Sequence, residues 1–346
     1  MVEQRYFKLS DIFKIKNSKS IDKNKLKQES GNFPYITQTG LNNGVAKFIC
    51  NQGIEKLNSG NVITVCIDTH EVFYQSYDYY STQNVMRLEY KQLNKYKAIF
   101  VIALLKKIFD QKFSYGYKST LKRISNLEIK LPSTPDGNPD WEFMESYIRE
   151  QYREVVQERI NELEKRKPDV PTVLRDIEEI QATADFPLGQ VFPTITRGIQ
   201  ISKRNRKPGT LPYISASLLN HGEADFVSVD EKYIYKDCLT VPFIGGKNCT
   251  FYHDGEFVPS SDVAVLQNEN FDKHIYVFLI GILNVIMQKY SFGYKASLER
   301  LQKQTIPLPI TSDGKPDWEF MSDYIKTQSQ IVFEEELKRL KSKLDE

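Results

Sequence analysis

Cysteine is scarce in this sequence, and it is not spaced for cross-linking or for zinc. The 346 residues include 4 cysteines, and no two of them form a C-x-x-C pair: Cys50, Cys66, Cys238 and Cys249. In a chain of this length the pattern is typical of reduced thiols in a cytosolic protein. The 4 histidines show no metal-ligand spacing either. We therefore expect neither disulfides nor a bound metal ion.

Long apolar runs are missing as well. The N-terminal residues MVEQRYFKLS lack the apolar stretch of a signal peptide. The two longest apolar runs, at 98–105 and 275–287, are too short to cross a bilayer. They lie at equivalent places in two similar halves of the chain, so we interpret each as the buried helix of a domain. A cytoplasmic location is the expectation.

The sequence also lacks the motifs of several enzyme classes. It contains no Pro-Pro dipeptide, which excludes the Asn/Asp-Pro-Pro-aromatic motif of amino-methyltransferases. It also contains no G-x-x-x-x-G-K-[ST] phosphate loop. The most similar segment, 245–248, lacks both the four residues between the two glycines and the Ser or Thr after the lysine. Asp317 and Glu336 match a metal-dependent nuclease pattern, but on one continuous helix they would lie about 28 Å apart. Catalysis therefore leaves few traces in the sequence, and we expect no bound cofactor.

Net charge is close to zero, but the charges are segregated. The 47 basic residues nearly balance the 45 acidic ones, which leaves +2. Residues 197–209 include several basic side chains and no acid, whereas 154–185 is rich in Glu and Asp. A local basic surface is therefore compatible with a neutral total. Ordinary solvated lysines and arginines would give the same pattern.

The dominant positive feature is an internal duplication. Residues 113–151 recur without a gap at 290–328, with roughly half of the aligned positions identical. Two long copies indicate a duplicated domain, because a solenoid of short modules needs at least three repeats to bury a core. In a chain made of two similar halves, each half is expected to carry out the same function at its own site.

Each half has the pattern of an α+β domain followed by a long helix. Short β-like segments separated by Gly/Asn turns come first, and the apolar helix and a proline-bounded strand follow. After an Asp-Gly turn, Pro139 and Pro316 are well placed as the first residues of helices. These helices, near 138–168 and 316–346, each carry an apolar seam. Two such rods are expected to pack on one another.

Between the apolar helix and the proline-bounded strand, both halves contain a glycine, an aromatic residue and a lysine. The tetrad Gly116-Tyr117-Lys118-Ser119 returns as Gly293-Tyr294-Lys295-Ala296. The glycine permits close approach to the backbone and the lysine supplies charge. Ser119, Thr120 or Ser297 is a candidate cap for a short helix that faces an anion. A duplex phosphate is the natural candidate, and a simple helix cap beside a buried aromatic residue is the alternative.

With these elements the chain resembles the specificity subunits of type I restriction-modification systems. The resemblance rests on Gly116, Lys118 and Leu121 with Leu131-Pro132, and on Gly293, Lys295 and Leu298 with Leu308-Pro309. The common family version continues into Pro-Leu-Glu-Glu-Gln, whereas this chain continues through 134–141 and 311–318 to a tryptophan. That departure looks like the branch of the BcgI-type (type IIB) specificity subunits, whose partner carries both methylation and cleavage.

The resemblance implies an α+β fold with two tandem target recognition domains, each followed by a long helix. The implied domains are 1–135 and 186–312, the spacer helices 136–168 and 313–346, and the linker 169–185. The helices would form an antiparallel coiled coil with pseudo-twofold symmetry. Such a chain has no catalytic activity of its own. It recognises a bipartite double-stranded DNA target and docks methyltransferase or fused methyltransferase-nuclease subunits, two per chain.

The candidate DNA-contacting side chains are cationic or carry a hydroxyl. They are Lys118, Ser119, Lys122, Arg123, Lys295 and Ser297 around the two tetrads, and Arg197, Lys203, Arg204 and Arg206 in the segment without acids. Lysines are expected at phosphates, whereas Arg204 or Arg206 is a candidate for pairing with guanine. Two other functions stay open at this point. One is a self-sufficient nuclease or methyltransferase with a degenerate site, and the other is a structural adaptor built on the helix pair.

Overall fold

The structure is a computed structural model that describes residues 2–27, 30–114, 116–246 and 248–345. Tyr115, beside the first tetrad, and Lys247, in the rejected phosphate loop, lie outside the described residues. The chain divides into two compact units, Met1–Arg159 and Ile160–Asp345, and each is described by itself.

In the first unit, short strands surround one long apolar helix, and a second long helix follows. The strands are β1 Gln4–Lys8, β2 Lys14–Asn17, β3 Phe33–Ile36, β4 Val45–Ile49, β5 Val62–Cys66, β6 Val72–Gln75, β7 Tyr80–Ser81, β8 Val85–Glu89 and β9 Glu128–Pro132. The helices are α1 Leu9–Ile12, α2 Lys95–Lys112, α3 Leu121–Ser125 and α4 Trp141–Lys165, whose last turns belong to the second unit.

The second unit repeats this order. Its strands are β10 Thr183–Pro187, β11 Thr194–Arg197, β12 Pro208–Ile214, β13 Glu223–Val227, β14 Cys238–Pro242, β15 Phe251–His253, β16 Val258–Pro259, β17 Val263–Gln267 and β18 Thr305–Pro309. Its helices are α5 Leu188–Val191, α6 Lys273–Ile286, α7 Leu298–Lys303 and α8 Trp318–Ser342.

The sheets of the two units have the same topology. A four-stranded antiparallel sheet has the order β2-β8-β5-β6 in the first unit and β11-β17-β14-β15 in the second. Smaller sheets, β4-β3-β7 and β13-β12-β16, each contain one parallel pair, and the first and last strands of each domain pair antiparallel. The predicted α+β class is confirmed, and the duplicated sequence is a duplicated topology.

The central strand β5 is buried on both faces, which explains its continuous apolar sequence. Ile63 and Val65 pack in the cluster that contains Leu105 of α2, whereas Val62 and Cys66 pack on the opposite face with Ile36 of the small sheet. Strand β14 alternates in the same way between the α6 side and the small sheet. Each large apolar side chain fully buried in this manner contributes about 1.5–3 kcal/mol.

The two apolar runs form α2 and α6, so their interpretation as the buried helix of each domain is confirmed. Asn94 and Asp272 begin these helices, and each side chain accepts hydrogen bonds from two backbone N–H groups of the first turn. In the part of the chain that the structure describes, no helix is both long and apolar enough to cross a membrane.

The starts of the long helices differ from the sequence-based prediction. Pro139 and Pro316 were expected as first helical residues, but α4 and α8 begin at Trp141 and Trp318. The aspartate after each proline takes the capping position, because its carboxylate accepts the N–H of Phe143 or Phe320 at 2.9 Å. The prolines instead lie in isolated bridges with Ser133 and Ile310. The tryptophans pack against aromatic side chains of their own domains, with ring centroids 4.5 Å apart: Trp141 stacks on Tyr90, and Trp318 lies tilted against Phe271.

A buried aspartate attaches the segment after α4 to the second domain. Asp323 of α8 is 1% exposed, and its carboxylate accepts the N–H groups of Thr172 and Val173 at 3.0 and 2.9 Å. Burial raises the pKa of Asp323, but these two hydrogen bonds and Lys326 outweigh burial, so the net pKa is lowered and the group stays ionised near neutral pH. The corresponding residue of α4 is Ser146, so this attachment is specific to the second half.

Candidate nucleic-acid interface

In each unit, a backbone turn closes the loop after the apolar helix. Ser114 and Tyr117 exchange hydrogen bonds at 3.3 and 2.9 Å, and Ser291 and Tyr294 exchange two at 3.0 Å. The turns contain Gly116 and Gly293, and the position that a Cβ would occupy at either glycine meets no heavy atom of the described chain within 4 Å. The fold itself therefore does not demand glycine there. A backbone that is open to a close ligand is a reason that fits both positions.

An arginine in the following short helix fixes the lysine-bearing loop. Arg123 Nη1 donates to the backbone carbonyl of Lys118 at 2.7 Å, and Arg300 Nη1 donates to that of Lys295 at 2.6 Å. Each guanidinium also lies over the tyrosine of its tetrad, 3.7 Å from the Tyr117 centroid and 4.5 Å from that of Tyr294. Such doubly anchored loops hold the lysine backbone in one position. Arg300 was missed as a site residue, although it aligns with Arg123 in the duplication.

The two tetrad lysines have different surroundings. Lys118 Nζ lies 2.6 Å from Asp68 Oδ1 in a partly exposed ion pair, and this hydrogen bond lowers the pKa of Asp68. Lys295 Nζ lies 5.0 Å from the centroid of the Phe292 ring. In the part of the chain that the structure describes, Lys295 makes no ion pair. Both side chains have polar ends at the surface, where a phosphate can reach them.

The hydroxyl groups of Ser297 and Ser119 make different hydrogen bonds. Ser297 accepts the N–H of Arg300 at 3.2 Å and caps α7, as predicted. Ser119 is fully buried, and its Oγ donates to the Ile67 carbonyl and lies 3.2 Å from His70 Nδ1. The expected cap of α3 by Ser119 or Thr120 is therefore wrong: the Ser119 hydroxyl points inward, and Thr120, at the capping position, makes no side-chain cap hydrogen bond. With 5 and 6 residues, α3 and α7 have little dipole to offer an anion, which leaves the lysines as the stronger candidates for that role.

Of the remaining side chains that were predicted to contact DNA, some are exposed and others contact residues of their own domain. Lys122, Lys203 and Arg204 are exposed, and the last two lie in a single 3-10 turn between β11 and β12. Arg206 forms an ion pair with Asp225 at 3.0 Å and covers the ring of Tyr213. The Arg197 guanidinium lies 4.2 Å from the Phe243 ring centroid.

The first unit has a basic 3-10 turn at the corresponding place. Residues Lys23–Lys25 form it between β2 and β3, after an aspartate cap, and its two lysines are exposed. The basic segment 197–209 of the second half therefore has a counterpart in the equivalent turn of the first.

Exposed leucines in a rigid hairpin turn were missed by the sequence analysis. Leu41 is 73% exposed and Leu219 is 76% exposed, each just before a turn of residues with positive φ. In the first unit the segment that leads into this turn contacts the partner of Lys118, because Gln38 Nε2 donates to Asp68 Oδ2 at 3.0 Å. Leucine is usually assigned to a core in sequence analysis. Its recurrence beside Asn-Gly and His-Gly turns in both halves was the available signal.

Comparison with known proteins gives a family. The model of the type I restriction modification DNA specificity domain matches residues 1–165 and 182–341. The chain is similar to the specificity subunit S.BcgI of a type II restriction enzyme from Heyndrickxia coagulans, with 29% identity over 338 residues and 96% of each chain covered. The predicted resemblance to the BcgI-type branch is thereby confirmed.

The fold is similar to that of a solved specificity subunit. The S subunit of a type I restriction-modification system from M. genitalium aligns with a TM-score of 0.57 at 15% identity, covering 99% of this chain and 92% of that one. That structure supports the two-domain fold, and the family match covers both halves. The chain therefore belongs to the family of type I restriction-modification DNA specificity proteins.

Proposed function

We propose that this chain is the non-catalytic specificity subunit of a restriction-modification complex, and that it acts in the cytoplasm. In this proposal each domain reads one half of a bipartite double-stranded DNA target. The observation that carries the proposal is the lysine loop anchored by an arginine, which is built twice on one topology. In the described residues no group of three or more His, Cys, Asp and Glu side chains is placed to hold a metal ion.

In this proposal, different residues contact the phosphates and the bases of the DNA. Lys118 and Lys295 contact phosphates, which orient the duplex without reading its sequence. The exposed Arg204 reaches a base edge in the major groove, where arginine pairs bidentately with guanine. Arg206 is bound to Asp225, so we assign it to holding that turn in place. Leu41 and Leu219 supply apolar contacts, such as those to a thymine methyl group.

The two long helices set the separation of the domains. Each has 25 residues, which gives a rod of about 40 Å. Lys341 Nζ lies 3.7 Å from Glu164 Oε1 within the second unit, and this contact supports packing of α4 on α8. In the antiparallel arrangement that we propose, the half-sites have centres about one duplex turn apart, with several unread base pairs between them.

The outer helix surfaces dock methyltransferase subunits in this proposal, one for each half. Val155 is 63% exposed on α4, and its equivalent Val332 is 65% exposed on α8. A glutamate three residues later, Glu158 or Glu335, is also exposed. An exposed apolar residue beside acids at matching positions supports two equivalent partner sites. Ordinary solvated helix surface is the competing interpretation.

Co-expression with a candidate methyltransferase subunit tests the partner assignment. We expect a complex with two catalytic subunits per chain by native mass measurement. Val155→Arg or Val332→Arg should each reduce this number to one, because each places a desolvated charge in one interface. Val170→Arg, at a residue 68% exposed after α4, is the matched control. A chain that never associates with a methyltransferase, yet methylates or cuts DNA unaided, would overturn the proposal.

A further inference from the structure

The two tetrad lysines occupy the same place in their domains but have different neighbours. Ile63 of β5 is equivalent to Leu239 of β14, because these residues pair with equivalent positions of β8 and β17. Two residues beyond the end of each strand, this alignment places Asp68 opposite Ile244. The lysine loop adjoins this position in both units, since Ser119 Oγ donates to the Ile67 carbonyl at 3.2 Å and Ala296 N–H donates to that of Phe243 at 2.8 Å.

In the first unit a rigid carboxylate therefore contacts the lysine. Gln38 Nε2 and Asn84 Nδ2 each donate to Asp68 Oδ2 at 3.0 Å, and the N–H of Asp68 donates back to Gln38 Oε1 at 3.1 Å. The other oxygen of Asp68 is left for Lys118, at 2.6 Å. These contacts hold the carboxylate in position against the ammonium group.

In the second unit none of these three side chains is kept. Ala216 and Asp262 take the places of Gln38 and Asn84, and Ile244, 40% exposed, takes the place of Asp68. Asp262 forms no ion pair with Lys295 among the residues that the structure describes. The Lys295 ammonium instead lies against the ring of Phe292.

We propose that Asp68 is an internal competitor for DNA phosphate at Lys118, and that it makes the backbone contact of the first domain weaker than that of the second. The inference rests on the proposed DNA-binding function. A phosphate that approaches Lys118 must displace a carboxylate from the ammonium and then remain near that negative charge. Since Lys118 is 45% exposed and Asp68 28% exposed, the pair is weak enough for a phosphate to open it. Lys295 needs no such exchange, so the second domain engages any duplex first.

Reciprocal substitutions at the two aligned positions test this inference. Full-length Asp68→Asn keeps the side-chain size and removes the charge, whereas Ile244→Asp places a carboxylate beside Lys295. Affinity is measured for the selected target and for an unrelated duplex at several salt concentrations. We expect Asp68→Asn to tighten both by roughly 3- to 10-fold and to steepen the salt dependence by a fraction of the about 0.9 that one complete phosphate contact contributes, because wild-type Lys118 already makes part of that contact. Ile244→Asp should weaken both and reduce the salt dependence by a similar amount.

The double variant Asp68→Asn with Lys118→Ala separates this mechanism from a general charge effect. It should lose the gain in affinity, because the gain acts through Lys118. Weaker binding by Asp68→Asn would mean that Asp68 positions Lys118 for DNA, and a gain that persists in the double variant would mean a general charge effect. Either result overturns the inference. A wild-type chain that binds no duplex contradicts the proposed function, whereas a wild type that binds with an unaffected Asp68→Asn contradicts only the inference.

Discussion

Alanine at both Lys118 and Lys295 is expected to weaken binding of the selected target and of unrelated duplexes alike, by roughly 10- to 100-fold. The reason is that phosphate contacts carry no sequence information, so their loss lowers affinity uniformly. The dependence of log K on log salt should fall by about 0.9 for each lost phosphate contact. Of the two single variants, Lys295→Ala should have the larger effect on affinity, because Lys118 is already in an ion pair with Asp68.

Lys315→Ala is the matched control for this pair. Lys315 also carries one charge in a loop, but it binds Asp313 at 2.8 Å in the turn before α8. Its loss should leave affinity and salt dependence nearly unchanged. If Lys118→Ala or Lys295→Ala reduced binding selectively at one base pair, with an unchanged salt dependence, these lysines would be base readers and the phosphate assignment would be wrong.

Insertion of one heptad into both α4 and α8 is expected to lengthen the unread spacer and to leave both half-sites the same. Seven helical residues add about 10 Å, which corresponds to about three base pairs at a rise of 3.4 Å. The original target should then bind little better than unrelated DNA, since the two domains can no longer bind their half-sites at the same time. Selection of bound duplexes from a randomised pool gives the new spacing directly.

The control for the insertion is the same heptad added after the last residue of the chain. It lengthens the chain at the end of α8 but does not lie between the domains, so the selected target should not change. A helix insertion that altered the selected bases, with the spacing preserved, would mean that the helices do not set the distance between the half-sites.

The organisation of the chain could be predicted because it depends on local and repeated patterns. The apolar runs at 98–105 and 275–287 identify α2 and α6, since they are the two longest apolar runs of the chain. The duplication predicts that whatever one half contains recurs in the other. The start of α4 was misplaced by two residues because Pro139 and Asp140 both suit a helix start, and only the hydrogen bond to Phe143 decides between them.

The candidate site was less predictable, because its contacts join residues distant in the sequence. Ser119 looked like a cap from its neighbours alone, but its hydroxyl bonds to Ile67, 52 positions away. The partner of Lys118 is Asp68, 50 positions away, which no motif indicates. Arg300 was detectable in principle, as its alignment with Arg123 is visible in the sequence. Its role as an anchor of the Lys295 loop requires the fold.

The most direct test of the central claim is selection of DNA from a randomised duplex pool by the complex of this chain with its methyltransferase partner. We predict two short enriched blocks, separated by a spacer of fixed length without base preference, and methylation only when both proteins are present. Exchange of residues 1–135 for those of a related chain should change one block alone. A single continuous block, no enrichment, or methylation or cleavage by this chain without a partner would contradict the account.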